Sequence, residues 1–175
     1  MAARGVLVSV DGVDASDIVA AARAKIAEVP RPRRGGVSVW DASGVFDDLV
    51  VAGPEAGVPS ARTLLLLYAA DLAFRLRWEI KPALAEGRTV AAAPYVATAI
   101  AFGRAAGLPA GWLKDLFRFA PRPTQARYVD AKTARSGFIG FGCDRLAEHA
   151  NGLTRQQMIG RARAHLQIRA RGSRA

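Results

Sequence analysis

The chain has 175 residues, which is enough for one domain with a core and too few for two ordinary domains. Hydrophobic residues make up 51% of it, and this fraction excludes an intrinsically disordered protein. The net charge of +10 is uneven, because residues 1–60 carry eight acids and six bases whereas six arginines and no acid follow residue 150. A basic region of this kind attracts polyanions or an acidic protein. A compositional bias towards arginine, with a merely solvated tail, is the alternative.

Cys143 is the single cysteine, so no intrachain disulfide can form, and we expect a cytoplasmic protein. No apolar run approaches the roughly 20 residues that a membrane span needs. The apolar part of the first ten residues is too short for a signal peptide and is more typical of a strand.

The valine-rich run at residues 5–10 predicts a strand that is buried on both faces. Residues 11–17 predict an acidic loop. A helix is expected over residues 18–29, because apolar residues recur there at steps of three and four. Either Asp14 or Ser16 can cap this helix, and two prolines stop it.

A second strand is predicted at residues 36–40, followed by a loop over 42–60 around a short helix near 46–51. The longest helical pattern runs from residue 61 to 86. It ends at Gly87, which is a typical residue after a helix C-terminus.

The remaining elements alternate in the same way. We expect strands at residues 89–93 and 126–130, and helices at residues 96–106, 111–120 and 154–169, with Thr154 as a cap. Strands that alternate with helices predict an α/β fold of three layers, with a mostly parallel sheet of about four strands flanked by helices. We assign residues 1–170 to this single domain and residues 171–175 to a basic tail.

The acidic loop lies where α/β proteins bind ligands, after the first strand. A phosphate-binding loop has Gly, four residues, Gly-Lys and then Ser or Thr. If Gly12 is the first glycine, Asp14 lies inside the loop and the later positions are Asp17, Ile18 and Val19. Asp17 would repel phosphate, Ile18 cannot neutralise it, and Val19 cannot ligate magnesium. Taken alone, the loop is also consistent with an ordinary capped turn between strand and helix.

Several stretches resemble, in order and with compatible spacing, the bacterial thymidylate kinases. The first is Val-Ser-Val-Asp-Gly-Val-Asp-Ala at residues 8–15, which resembles the opening of that family. The others resemble a long helix at residues 62–71, the turn after it at 82–90 and a later helix at 112–113 and 118–120. Residues 128–130 resemble the fourth strand, and residues 144–146 resemble a piece of the lid. The similarity covers roughly residues 5–170, so it implies the P-loop nucleoside monophosphate kinase fold, without the family's last strand.

This chain departs from the family mainly at the positions where the family binds its nucleotides. The family has an arginine after the aspartate of its long helix, Asp-Arg-Tyr after its third strand and Tyr-Gln soon afterwards. The matching residues here are Asp71, Leu72, Ala93, Pro94, Tyr95, Phe102 and Gly103. The family's Arg-Glu-Pro after the second strand has no match at residues 40–44. The lid-like residues Arg135, Asp144 and Arg145 are present.

These departures favour a non-catalytic protein that keeps the kinase fold, needs no cofactor and binds a protein partner. One alternative is a divergent dTMP kinase that uses ATP, magnesium and lid arginines. Another is nucleic-acid binding through the arginine-rich C-terminal helix. The resemblance also implies a homodimer through residues 61–80, with the dimer helix presenting Leu64, Leu65, Leu67 and Tyr68. A central core helix is the other interpretation of that apolar run.

Metal ligation is not favoured by the sequence. His149 and His165 lie 16 residues apart without a cysteine or carboxylate at ligand spacing. Asp11 and Asp14 could hold a cation, but loop carboxylates more often cap helices or face solvent.

Overall fold

In the computed structural model, four parallel strands form one sheet in the order β2-β3-β1-β4. The structure describes residues 4–45, 60–131 and 153–172. The strands are β1 (Val6–Gly12), β2 (Arg34–Val39), β3 (Thr89–Ala93) and β4 (Gln125–Val129). This arrangement confirms the α/β prediction.

Helices cover both faces of the sheet. They are α1 (Ala15–Ala27), α2 (Ala61–Arg75), α3 (Lys81–Ala85), α4 (Val96–Ala105), α5 (Ala110–Leu116) and α6 (Arg155–Gly172). A short 3-10 turn, Arg31–Arg33, precedes β2, and a π-helical turn, Leu76–Ile80, joins α2 to α3. None of the helices in the described part of the chain is long and apolar enough to cross a membrane.

The sheet separates two apolar cores because successive residues of a strand face opposite sides. The smaller core lies under α1, where Val8 and Val10 of β1 contact Ile18 and Ala22. The larger core lies on the other face and is formed by α2, α4, α5 and α6, with Leu65, Tyr68, Phe102, Leu113 and Met158 among its buried residues. The result is the three-layer architecture that the strand and helix alternation predicts.

The acidic loop is shorter than predicted, which is a correction to the predicted loop at residues 11–17. Asp11 and Gly12 continue β1, because they pair with Tyr128 and Val129 of β4. Helix α1 already begins at Ala15, since Asp14 caps it there. Only two residues therefore separate strand from helix.

The predicted helix over residues 61–86 is confirmed in its extent, but it is not a continuous α-helix. It is interrupted by the π-helical turn at residues 76–80, and Gly87 follows it with a φ of 73°. Ser60 caps α2 by accepting a hydrogen bond from the amide of Thr63. Thr154, the predicted cap of the last helix, accepts one from Gln157. The short helix expected near residues 46–51 lies outside the described residues.

Gly103 is required for the close approach of three helices. A Cβ atom there would lie 2.5 Å from Leu113 Cδ2 and 2.7 Å from Leu65 Cδ1, whereas a Cβ on Gly160 in α6 would meet nothing within 4 Å. We expect Gly103→Ala to lower the free energy of unfolding by about 1–3 kcal/mol through overpacking. Gly160→Ala should raise it by about 0.5–1 kcal/mol through helix propensity. Urea denaturation of both variants tests this, and a stable Gly103→Ala protein would contradict it.

Candidate functional site

The candidate site lies at the carboxyl edge of the sheet, where β1 and β3 are neighbours. The chain leaves β1 for one side of the sheet and β3 for the other, and ligands of open α/β sheets bind at such a switch point. The segments to consider are the turn after β1, the turn after β3, and the side chains of α2 that reach this edge.

In the turn after β1, backbone amides are bonded to the chain itself. Asp14 Oδ1 accepts a hydrogen bond from the amide of Asp17 at 3.0 Å, and the carbonyl of Asp14 accepts one from Ile18 at 3.0 Å. The amide of Gly12 donates to Thr98 Oγ1 at 3.1 Å. A phosphate-binding loop offers such amides to its ligand.

The space inside this turn is also occupied. Ile18 is 1% exposed and packs into the core under α1. A Cβ atom on Gly12 would lie 2.8 Å from the carbonyl oxygen of Val129 and 3.1 Å from Ile18 Cγ1. Asp17 is exposed and Val19 is half-buried, and both lie within α1. Of the predicted phosphate-loop positions, Gly12 ends β1 and Asp14 caps α1. The other three, Asp17, Ile18 and Val19, lie in the first turns of that helix.

A buried carboxylate connects the two turns. Asp11 Oδ1 accepts hydrogen bonds of 2.9 Å from the amides of Tyr95 and Thr98 at the start of α4. Tyr95 is the N-cap residue, and its own side chain makes no capping bond. Asp11 thus caps α4 from the end of β1. Burial raises the pKa of this carboxyl, although the hydrogen bonds from Thr98 and Tyr95 oppose the rise.

A fully buried arginine lies at the ends of β2 and β3. Arg75 Nε donates to Ser38 Oγ at 2.9 Å, and Nη2 donates to the carbonyls of Ser38 at 2.9 Å and Pro94 at 3.0 Å. Asp71 Oδ2 lies 3.8 Å from Arg75 Nη1, and Asp71 Oδ1 accepts from the amide of Ser43 at 2.9 Å. Within the described residues, Asp71 Oδ2 and Arg75 Nη1 make no hydrogen bond, so attraction of charge holds this contact.

Aromatic side chains fill the interior beside this arginine. The Tyr68 hydroxyl donates to the carbonyl of Tyr95 at 2.7 Å, and its ring stacks on Trp40 with centroids 4.9 Å apart. Phe117 contacts Tyr68 edge-on with a centroid distance of 5.9 Å. Burial raises the pKa of the Tyr68 hydroxyl, which stays protonated and donates.

The predicted acceptor-site positions are all buried at this edge or in the larger core. Asp71 and Pro94, which lies between Ala93 and Tyr95, both contact Arg75. The other positions, Leu72, Phe102 and Gly103, belong to the packing of α2, α4 and α5. Sequence reasoning missed Arg75, although its spacing of four from Asp71 on a helix was a usable signal. The lid-like residues Arg135, Asp144 and Arg145 lie outside the described residues.

The residues assigned to the dimer helix lie mostly inside the chain. Leu64, Leu65 and Tyr68 are at most 3% exposed and belong to the larger core, while Leu67 is half-buried. The core-helix interpretation therefore accounts for these three side chains without a second copy.

The basic C-terminal helix is only partly free. In α6, buried Met158, Ile159, Ala162 and Leu166 belong to the larger core, and the helix packs against α4. Arg163 forms a two-pronged ion pair with Asp130.

Next to Asp11 lies a cavity of about 200 Å³ between the start of α4 and β4. Its walls include Ser9, Asp11, Tyr95, Phe117 and Tyr128. In the part of the chain that the structure describes, no group of three His, Cys, Asp or Glu side chains is arranged to hold a metal ion.

Comparison with known proteins places this architecture. No protein-family model matches the chain. A probable thymidylate kinase of Pyrococcus horikoshii is 39% identical over 71 residues, which are 41% of this chain and 35% of that protein. A probable thymidylate kinase of Thermococcus gammatolerans is 36% identical over 93 residues, 50% of this chain and 45% of that protein. Over these segments the chain is similar in sequence to thymidylate kinases.

The fold agrees with that relationship. A crystal structure of thymidylate kinase from Ehrlichia chaffeensis superposes with a TM-score of 0.73 at 12% identity, covering 97% of this chain and 83% of that one. Probable thymidylate kinase 2 of Saccharolobus solfataricus is 26% identical over 126 residues, 72% of this chain and 59% of that protein. The chain spans less than half the length of the relatives from Pyrococcus horikoshii and Thermococcus gammatolerans.

Removing one partner of the buried pair should be costly. We expect Arg75→Met to lower the free energy of unfolding by about 3–5 kcal/mol, because the Asp71 carboxylate is left buried without a counter-charge. Adding Asp71→Leu should recover part of that loss. Arg163→Met, which breaks the exposed pair with Asp130, is the control and should change little. Equal losses in the two single variants, measured by urea denaturation, would contradict this account.

The raised pKa of Asp11 gives a pH dependence of known sign. The folded state binds this proton more tightly than the unfolded chain, whose carboxyl titrates near 3.8. Its contribution to stability therefore decreases as pH rises from about 3.8 through the higher folded pKa, and is constant above it. Asp11→Asn keeps an oxygen acceptor for Tyr95 and Thr98 and removes the titration. The difference in unfolding free energy between wild type and Asp11→Asn should fall with pH in this range, and a flat difference would overturn the assignment.

Proposed function

We propose that this chain is a non-catalytic relative of the thymidylate kinases and acts by binding a protein partner. The observation that carries the proposal is that amides of the turn after β1 are bonded to Asp14 and Thr98. These are the amides that a phosphate loop would present to a nucleotide.

Binding a triphosphate there would require several unfavourable changes. The hydrogen bonds of Asp14 would have to break, the first turn of α1 would have to unwind, and Ile18 would have to leave its core. Asp17 places a carboxylate in the first turn of α1, at the end of the helix that favours anions. In addition, Ile18 and Val19 stand where a phosphate-binding loop has its lysine and its serine or threonine. Losing a single stabilising donor typically costs about 3–4 kcal/mol of transition-state stabilisation.

The acceptor side supports the same proposal. Where the family's resemblance predicts Asp-Arg-Tyr, Ala93 and Pro94 carry no charge, and the carbonyl of Pro94 is bonded to Arg75. The guanidinium of Arg75 is fully buried and donates to backbone and serine oxygens. Its donors are therefore used within the fold, and we propose a structural role for Arg75 instead of contact with a substrate phosphate.

The alternative is a dTMP kinase that uses ATP and magnesium. The sequence relationship to thymidylate kinases favours it. Arg135 and Arg145 would then supply the missing positive charge, with the turn after β1 rearranged. This alternative needs the hydrogen bonds of Asp14 in that turn to break, and the non-catalytic proposal does not.

The remaining assignments are part of the proposal. A homodimer through residues 61–80 is implied by the family resemblance, and any such contact would use the exposed side of α2. A cytoplasmic location is in keeping with the single cysteine. Nucleic-acid binding through α6 remains a prediction, with Arg163 already engaged by Asp130.

A coupled assay with dTMP, ATP and magnesium tests the proposal directly. We expect no turnover, and no heat on titration of ATP by calorimetry with or without magnesium, because the turn offers neither amides nor a lysine. An authentic thymidylate kinase assayed under the same conditions is the positive control. Turnover at ordinary kinase rates, about 1 per second or more, would replace this proposal with the kinase alternative.

A further inference from the structure

Arginines from three separate segments of the chain meet at the amino edge of the sheet, opposite the candidate site. The strands β2, β3 and β1 are neighbours in that order, and each begins at or shortly after an arginine. Neighbouring strands lie about 4.8 Å apart, so the starts of these three strands span about 10 Å. The arginines are all exposed, and we term the group the arginine edge: Arg4, Arg31, Arg33, Arg34 and Arg88.

Hydrogen bonds between the three segments hold the arginines together. The amide of Val6, at the start of β1, donates to the carbonyl of Arg88 at 3.1 Å. From the 3-10 turn before β2, Arg33 Nη2 donates to the carbonyl of Arg4 at 3.5 Å. The guanidinium of Arg33 therefore reaches past the start of β3 to the segment that leads into β1. Segments that are far apart in sequence thus present their positive charges side by side.

The C-terminus of α1 also lies at this edge, and an arginine covers it. Helix α1 ends at Ala27, and the last carbonyls of a helix carry a partial negative charge that would repel an anion. Arg34 donates to the carbonyl of Ala27 at 2.7 Å and to that of Val29 at 2.6 Å. Its guanidinium offsets the charge of the helix end, so the edge stays positive on this side as well.

Positive charge exceeds negative charge at the arginine edge. Two carboxylates lie beside it, where Glu86 is 2.8 Å from Arg88 and Glu28 is 2.9 Å from Lys25. Glu79 lies in the π-helical turn, about 10 Å before Glu86 along the helical axis. Apart from Arg34, which covers α1, three arginines of the edge form no ion pair within the described residues: Arg4, Arg31 and Arg33. A guanidinium can hold a phosphate through two parallel hydrogen bonds.

The arginine edge carries charge without apolar anchors, and this contrast selects the kind of partner. The large exposed hydrophobic side chains of the described part of the chain lie along α2, in the π-helical turn and after α5: Leu66, Phe74, Trp78 and Phe119. Protein interfaces depend on buried aromatic anchors, membranes are bound most firmly where apolar side chains insert, and single-stranded nucleic acid stacks on aromatic rings. A nucleic-acid duplex needs none of these, because its phosphates present one charge for about every 1.7 Å of its axis.

We propose that the arginine edge binds the phosphate backbone of duplex nucleic acid without regard to base sequence. This function goes beyond the proposed protein binding and does not depend on it, because the edge lies at the opposite end of the sheet from the candidate site. Arg4, Arg31 and Arg33 make the phosphate contacts, and the other two arginines add to the positive potential. Contacts of this kind position a protein on a duplex and carry no sequence information.

The test is fluorescence anisotropy of a labelled DNA duplex of about 20 base pairs, titrated with the full chain. Because three to five arginines neutralise phosphates, the logarithm of the association constant should fall against the logarithm of the salt concentration with a slope of about −3 to −4. A second duplex of unrelated sequence should bind with the same affinity to within about twofold.

Variants locate the binding on the molecule. Arg31→Glu combined with Arg33→Glu should weaken the duplex about tenfold or more and make the salt slope shallower by about 2. The matched control is Arg62→Glu combined with Arg161→Glu, which changes the net charge equally at exposed positions of α2 and α6. This control should weaken binding less than about threefold, because salt screens charges that lie far from the bound duplex. All four side chains are exposed, so both double variants keep the fold.

Several outcomes would overturn the inference. One is no binding of the duplex at about 50 mM salt, and another is equal weakening by the two double variants, which would assign the attraction to net charge or to α6. Tighter binding of a single strand of the same length would identify a different nucleic acid. Displacement of the duplex by polyglutamate, or by vesicles containing phosphatidylserine, at an equal concentration of charge would identify an acidic protein or a membrane. None of these outcomes produces dTMP kinase turnover, which alone overturns the non-catalytic proposal.

Discussion

The carboxylate of Asp11, buried at the end of the central strand β1, determines the arrangement of the whole carboxyl edge. It accepts hydrogen bonds from two backbone amides at the start of α4. The hydroxyl of Thr98 in the same turn accepts a hydrogen bond from the amide of Gly12 and donates one to its carbonyl. The point where this fold would admit a phosphate is therefore joined to the next helix. A buried carboxylate is tolerated here because backbone donors replace its lost hydration.

Arg75 plays the equivalent part for β2 and β3. Its guanidinium donates hydrogen bonds to the carbonyls of Ser38 and Pro94, near the ends of the two strands. Asp71 accepts a hydrogen bond from the amide of Ser43 in the loop after β2. Tyr68 and Trp40 fill the space beside it. Asp11 Oδ1 and the Nε and Nη2 atoms of Arg75 are thus hydrogen-bonded within the chain, whereas Arg75 Nη1 and Asp71 Oδ2 make only a charge contact. Large exposed hydrophobic side chains lie elsewhere, mainly along α2 and the π-helical turn after it. This contrast is the physical reason for seeking function away from the carboxyl edge.

Much of the fold could be predicted, since buried parallel strands are short apolar runs and α2 has a strong helical pattern. The turn after β1 could not, because a run of acids does not reveal which carboxylate caps a helix and which ends a strand. The sequence predicts Asp14 as a possible cap, which the structure confirms. For Asp11 it suggests only a cation ligand, whereas the structure shows that its carboxylate caps α4. The apolar run at Leu64, Leu65 and Tyr68 suggested a dimer surface, although these side chains face the chain's own core.

The sequence by itself determined the three-layer α/β class and the resemblance to thymidylate kinases, since both depend on residue identity and order. It also predicts the loss of the phosphate-loop lysine and hydroxyl. Only the tertiary structure decided that Asp11 caps α4, that Arg75 joins β2 to β3, and that Leu66, Phe74 and Trp78 share one exposed face with Phe119. Those facts depend on contacts between residues up to 87 positions apart, which no local pattern of the chain encodes.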